Sequence, residues 1–150
     1  MALSAIVRHK TADAGAGPGN SAAFKIGNAV VVYAGAYICV DQSTGYAVLA
    51  ADTANYLWAG IAQNSATGNT SATEPPEVRV TTGPLIIVDT AVTGLDNVND
   101  VGDLVYATAD DTLTLSSTSN LKAVGQVRRY KGVSGYGDVE IFPMGVSRSL

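Results

Sequence analysis

Histidine and cysteine, two residue types that often carry catalysis, each occur once in this 150-residue chain. A hydrolytic triad needs a general base beside its nucleophile, most often a histidine. The chain has one histidine, His9, near its amino terminus, and one cysteine, Cys39. Zinc requires three or four ligands held together, and these two residues do not supply them. We therefore expect no enzyme activity and no cofactor.

Three glycines near the amino terminus could be mistaken for a phosphate-binding loop. Gly15, Gly17 and Gly19 occur at every second position, as in some glycine-rich loops. They follow no predicted strand, however, and a phosphate cradle needs one in front of it. We interpret the three glycines as part of a linker.

A run of oxygen-bearing side chains between 96 and 103 offers ligands that calcium accepts. Its spacing is not that of an EF-hand loop, and the terminal glutamate of that loop is missing. Turns stabilised by Asn and Asp side chains explain the same residues without a metal. We favour the turns.

The aromatic pair Tyr56 and Trp58 could form a face on which a sugar ring stacks. A lone tryptophan in an alanine-rich domain is more often its largest packing residue, either in the core or at a subunit contact. We therefore favour packing over sugar binding for this pair.

The charge of the chain argues against nucleic acid as a partner. Its net charge is -4, and its densest basic run is Arg128, Arg129 and Lys131. A nucleic-acid groove needs several cations on one face. No apolar stretch approaches the roughly 20 residues that span a bilayer, and the first residues lack the pattern of a secretion signal. We expect no membrane partner, and we expect the chain to be made and kept in the cytoplasm, or packaged from it.

The composition predicts an all-β fold. Apolar residues make up 47% of the chain, charged residues only 15%, and glycine occurs 16 times. Short strands joined by small-residue turns have this profile. We predict more than about a third of the residues in strands and fewer than about 15% in helices, against base rates near 20–25% and 30–35%.

Two stretches of the chain resemble each other, and they organise the predicted fold. Residues 35–63 and 102–128 each begin with a glycine and an apolar strand, turn into a second strand, and enter a third strand at Gly60 or Gly125. An alternating strand follows each copy. We predict a compact sandwich or barrel-like domain built from two similar strand-turn-strand halves.

Several local elements follow from the same patterns. The β-branched run 29–33 predicts a buried strand, and the run 85–88 predicts a central strand. Asp52 could cap one short helical turn over 52–56. The stretches 64–76 and 131–137 are predicted surface loops.

The segment 1–23 forms a separate unit in composition. A stretch rich in alanine and glycine runs from residue 12 to 20, and it cannot bury enough surface to offset the entropy of ordering it. We predict a flexible arm over 1–23 that orders on a partner, and a single domain over 24–150. A terminus with no role is the alternative. The candidate binding residues of the arm are Leu3, Ile6, Val7, Arg8, His9 and Lys10.

Candidate subunit contacts come from the apolar and aromatic residues of the first half. A β-branched strand or a large aromatic side chain is expected to be buried, either in the core or against a neighbouring subunit. These candidates are Val30, Val32, Tyr56 and Trp58.

With these segments in view, the chain resembles the small capsid decoration, or cement, proteins of tailed bacteriophages. The residues that carry the resemblance are Gly102-Asp103-Leu104-Val105-Tyr106 and Ala123-Val124-Gly125-Gln126-Val127. Gly60-Ile61-Ala62 and Val78-Arg79-Val80 fit as well, so the resemblance covers residues 28–142. The chain departs from the pattern in its Ala/Gly/Ser-rich start and in the extended loop 64–76.

The resemblance implies a structural role without catalysis. Such proteins sit as trimers on the outer surface of the phage head and clamp neighbouring major capsid subunits. The implied partners are the major capsid protein and further copies of this chain, and the implied location is the virion. The alternative is a glycan-binding or fibre-tip module of a phage that uses Tyr56, Trp58 and the Ser/Thr-rich loops.

Overall fold

Residues 10–12, 20–117, 119–120 and 123–144 are described by a computed structural model of the chain. Strands account for 50% of the described residues and helix for 2%, which confirms the predicted all-β class. The described helical residues form one 3₁₀ turn, Val98–Asp100. The strands are β1 (Lys10–Ala12), β2 (Asn20–Lys25), β3 (Val31–Val32), β4 (Tyr37–Asp41), β5 (Ala47–Leu49), β6 (Tyr56–Ala62), β7 (Ala66–Thr67), β8 (Glu77–Thr82), β9 (Leu85–Ala91), β10 (Leu104–Ala109), β11 (Thr112–Thr114), β12 (Gly125–Tyr130) and β13 (Tyr136–Ile141).

The two similar halves are confirmed by the order of the strands. In the first half, β2 to β8, the main sheet has the order β2-β8-β6-β4-β5; in the second half, β9 to β13, the order is β9-β13-β12-β10-β11. Each strand in one order has a counterpart at the same place in the other. The pairing between these named strands is antiparallel throughout. The first half adds the small β3–β7 sheet, and the second half adds β1.

Each main sheet curls so that its two edges approach each other. One parallel bridge joins the segment after the first strand of the sheet to the last strand. In the first half this bridge pairs Ile26 with Ala47, and in the second it pairs Thr93 with Thr114. The two bridges occupy corresponding places, since each follows the first strand of its sheet and meets the last one. Two curled sheets packed together give a sandwich-like body with barrel-like halves.

The first-half sheet is covered on both faces, which explains the uninterrupted apolar run of β4. Ile38 and Val40 pack into a core that lies within the first half. Tyr37 and Cys39 point the other way, into a larger core shared with the second half. Because successive residues of a strand face opposite sides, both faces of β4 must be apolar.

Two local predictions need correction. The strand predicted over 29–33 is only Val31–Val32, because Ala29 has a positive φ of 62° and belongs to a turn. The stretch predicted as a helical turn contains an ordinary turn, in which Asn55 has a φ of 69°. At the amino-terminal side, β2 runs from Asn20 to Lys25. It therefore crosses residue 23, where the predicted arm ends and the predicted domain begins.

Gly60 and Gly125 mark places where neighbouring backbones approach too closely for a side chain. A Cβ atom at Gly60 would lie 2.3 Å from the carbonyl oxygen of Thr81, and one at Gly125 would lie 2.5 Å from that of Glu140. The obstructing atoms are backbone atoms of β8 and β13, the neighbouring strands in each half. The glycines that reveal the repeat in the sequence are therefore required by strand packing.

Gly125→Ala is expected to destabilise the fold by about 1–3 kcal/mol, because the added methyl group forces β12 away from β13. The matched control is Gly27→Ala, whose Cβ would meet the movable Val30 side chain at 3.3 Å. Urea unfolding followed by circular dichroism would compare the two variants. Equal midpoints for Gly125→Ala and the unsubstituted protein would contradict the steric explanation.

Candidate functional site

The predicted arm residues divide between the described part of the chain and the rest. Leu3, Ile6, Val7, Arg8 and His9 lie outside the described residues, whereas Lys10 begins β1. β1 is the outermost strand of the six-stranded sheet and pairs with β9. This part of the predicted arm therefore already belongs to a sheet in the isolated chain.

All four candidate subunit contacts pack against other residues of the same chain. Val32 is fully buried and Val30 packs partly against the same first-half core. Trp58 is buried in the shared core, and Tyr56 packs partly against it. Val31, between Val30 and Val32 in the sequence, is 46% exposed.

Trp58 joins the two halves of the molecule. Its indole Nε1 donates to the carbonyl oxygen of Phe142 at 3.2 Å, and its ring lies 6.2 Å from the ring of Tyr37, centroid to centroid. Only 2% of the residue is exposed. A sugar cannot stack on a buried ring, so the sugar-binding face considered for Tyr56 and Trp58 is not formed at Trp58.

The only cysteine is not placed to act as a nucleophile. Cys39 is buried in the shared core, and burial raises the pKa of its thiol to about 12. The thiolate is the reactive form, and almost none of it is present near neutral pH. Cys39 acts as a small core residue.

Burial also raises the pKa of Tyr37 to about 12, with a smaller opposing effect from a hydrogen bond to Thr90. In an unfolded chain both Tyr37 and Cys39 ionise at lower pH. The native state therefore retains protons that the unfolded state loses. Its stability is complete below the unfolded pKa values, which lie near 9 and 10, and falls as pH rises from there towards 12.

Tyr37→Phe is expected to reduce this alkaline loss of stability. The raised pKa of the phenol corresponds to about 2–3 kcal/mol lost between about pH 10 and pH 12. Urea unfolding measured at several pH values would show the effect as a shallower pH slope. The control is Tyr136→Phe, which removes a hydroxyl from a residue that is 47% exposed. Parallel slopes for the two variants would contradict the assignment to Tyr37.

The acidic stretch considered for calcium forms a turn. Asp100 Oδ2 accepts hydrogen bonds from the backbone N–H groups of Asp96 and Asn97, at 2.8 and 3.0 Å. Asn97 Oδ1 accepts from the N–H of Asn99 at 2.8 Å and caps the 3₁₀ turn. Asn and Asp side chains thus stabilise this turn, and no group of three or more His, Cys, Asp or Glu residues that could hold a metal ion occurs among the described residues.

A polar groove of about 300 Å³ lies between the first-half strands. Gln63 Nε2 donates to Thr81 Oγ1 at 2.6 Å, and Asn64 Oδ1 accepts from the N–H of Arg79 at 2.7 Å. These amides connect the segment after β6 to β8, so they stabilise the fold. The groove is lined by Ala23, Gln63, Asn64, Glu77 and Arg79.

Four exposed apolar side chains, which we call the loop patch, lie in two loops of the second half. Val98 and Val101 belong to the loop after β9, and Val133 and Tyr136 to the β12–β13 hairpin; their exposures run from 42% to 68%. The two loops are joined by hydrogen bonds. Gly135 N donates to the carbonyl oxygen of Leu95 at 2.7 Å.

The loop patch was not predicted from the sequence. The region 131–137 is predicted only as a polar surface loop, and its valine and tyrosine are separated by small residues. The apolar residues Val133 and Tyr136 were visible in the sequence of this loop. The other two residues of the loop patch, Val98 and Val101, lie far away in the sequence.

The surroundings of the loop patch are acidic on the β9 side. Residues 89–103 contain four aspartates and no basic residue. Lys131, on the hairpin side, pairs with Asp89 at 3.0 Å. Arg128 is paired with Glu140 on the neighbouring strand. Two of the three cations in the densest basic run are therefore engaged in ion pairs.

In the described part of the chain, no helix has the length and apolar character needed to cross a membrane. Comparison of the chain with protein-family models, with curated proteins and with solved structures found no match.

Proposed function

We propose that this chain is a structural protein of a tailed-phage virion, which binds the outside of the head and clamps neighbouring major capsid subunits. The proposal begins from the resemblance to capsid decoration proteins. The residues that carry it, 102–106 and 123–127, fall at β10 and β12 and at their approaches. They therefore coincide with the repeated structural unit.

The edge position of β1 is the observation that carries the proposal. Among the described strands β1 is the last of its sheet, and none of them pairs with its outer edge, where a further strand could add. Strand addition at such an edge supplies backbone hydrogen bonds to a partner. The segment before it adds apolar and basic side chains, which suit a seam between capsid subunits.

Assembly into a homotrimer is part of the proposal. The large apolar side chains exposed in the described part of the chain are Val31 in β3 and the four residues of the loop patch. Apolar surface of this kind commonly marks contacts between proteins. A trimer offers each chain two neighbours and would cover part of this surface.

Cryo-electron microscopy of purified virions would test the proposal directly. Copies arranged in threes over the whole shell, with β1 against the major capsid protein, are expected. A few copies at the tail would favour the fibre-tip alternative. Isolated monomers spaced evenly on the shell would contradict the trimer while leaving the capsid role in place.

A further inference from the structure

Backbone hydrogen bonds at the start of β4 and β10 match the two halves residue by residue. The same two bonds occur in each half, at 2.8 or 2.9 Å: Gly35 N to Ala62 O and Ala62 N to Ala36 O in the first half, and Gly102 N to Val127 O and Val127 N to Asp103 O in the second. Tyr37 in β4 therefore corresponds to Leu104 in β10. Two residues further along, Cys39 corresponds to Tyr106.

The face of β4 that carries Tyr37 and Cys39 is covered by the second half of the chain. Both side chains are buried in the shared core, and the Tyr37 side chain is hydrogen-bonded to Thr90 of β9. The N–H of Tyr37 donates to the carbonyl oxygen of Asp110 at 2.9 Å. Asp110 lies in the turn between β10 and β11. One half of the chain thus contacts the other through this turn.

The matching face of β10 is left uncovered. Leu104 and Tyr106 are half-buried, and neither belongs to either core. Val105 and Ala107, which alternate with them, point the other way into the shared core. Among the described residues, no loop or turn residue accepts a hydrogen bond from the N–H of Leu104, the counterpart of the Tyr37 N–H. β10 therefore presents a leucine and a tyrosine on a face whose counterpart in the first half is buried.

The first half carries the counterpart of the turn that covers β4. This is the turn between β4 and β5, in which residues 42–45 are exposed. Its shape is fixed by hydrogen bonds, because Asp41 Oδ1 accepts from Ser43 N at 2.9 Å and the Asp41 carbonyl oxygen accepts from Gly45 N at 2.7 Å. A second copy of the chain can therefore bring to β10 the kind of turn that the second half brings to β4.

We propose that the outer face of β10, at Leu104 and Tyr106, binds the β4–β5 turn of a second copy of this chain. The two surfaces differ, so the contact joins copies head to tail, and three copies can close it into a ring. The inference rests on the homotrimer of the proposed function, for which it names the contact, and does not rest on the capsid role. Ala123 stands where the first half has Trp58, so the contact between copies is weaker than the contact between halves.

Disulfide cross-linking between copies tests the contact. One protein carries Leu104→Cys, and a second carries cysteine in place of Gln42, Ser43 or Thr44. The two are mixed and oxidised with a copper catalyst at about 0.5 mM, a concentration that populates complexes with a Kd near 1 mM. The native Cys39 is fully buried and stays out of the reaction. A disulfide between the two proteins is expected for at least one of the three turn positions, because it requires Cβ atoms about 4 Å apart.

The control for the cross-linking replaces the turn variant with Val31→Cys. Val31 is 46% exposed in β3 and lies outside the proposed contact, so it should give no cross-link with Leu104→Cys. The absence of a cross-link with all three turn positions would overturn the proposal. A cross-link to Val31→Cys of equal yield would overturn it as well.

Sedimentation velocity measures the energetic side of the contact. The unsubstituted chain should self-associate at about 0.5 mM, and Tyr106→Ser should weaken this association by about tenfold or more, as the loss of an aromatic contact does. Circular dichroism checks that the variant is folded. The control Tyr136→Ser removes a tyrosine that is 47% exposed in β13 and should leave the association unchanged.

The outcomes separate this inference from the proposed function. Trimers that persist unchanged in Tyr106→Ser would overturn the contact at β10 and leave the homotrimer in place. A chain that stays monomeric at every concentration would also overturn the contact, whereas the capsid role is decided on virions.

Discussion

Trp58→Ala is expected to cost about 3–5 kcal/mol of folding stability, the typical loss for a fully buried large aromatic side chain. Small domains have only about 5–15 kcal/mol in total, so the variant should be close to unfolding at ordinary temperatures. The loss is large because Trp58 packs in the core that both halves share. Urea unfolding followed by circular dichroism measures this loss of stability, because the signal does not require tryptophan fluorescence.

Trp58→Phe is the matched control for this prediction. It keeps most of the buried ring but removes the hydrogen bond from the indole to the carbonyl of Phe142. That oxygen also accepts from Gly83 N at 3.2 Å and so keeps one partner. The loss should therefore be limited to about 1–2 kcal/mol. Near-wild-type stability in Trp58→Ala would mean that the two halves hold together without this anchor.

If the chain has the proposed capsid role, removing residues 1–9 is expected to weaken its binding to undecorated phage heads by about 100-fold or more. Burial of two aliphatic side chains from this segment would contribute about 3 kcal/mol, and about 1.4 kcal/mol corresponds to a tenfold change in affinity. The structure places this boundary at Lys10, because a longer deletion would remove β1. Titration of the truncated protein onto heads provides the measurement.

Two controls separate binding from folding in this experiment. The truncated protein should remain folded at the assay temperature, because β1 and all later strands are retained. A full-length variant with Leu3, Ile6 and Val7 changed to serine should bind as weakly as the truncated chain. If the truncated protein decorates heads as tightly as the full chain, the amino-terminal segment takes no part in capsid binding.

The sequence by itself determined the all-β class and the two similar halves. Both follow from local properties: alternating or β-branched runs form strands, and glycine is needed wherever backbones come too close for a Cβ atom. Gly60 and Gly125 could therefore be matched from their sequence surroundings alone. The buried run of β4 could be recognised for the same reason, although the sequence did not show which neighbours cover each face.

Only the tertiary structure decided where the surfaces of the molecule lie. Trp58 could have been a core residue or a subunit contact, and its burial depends on a second half that begins only at β9. The strand predicted around Val31 was cut short because Ala29 takes a left-handed turn conformation, which its residue type does not indicate. The loop patch brings together two loops that are distant in the sequence, a proximity set by strand pairing and invisible to any local pattern.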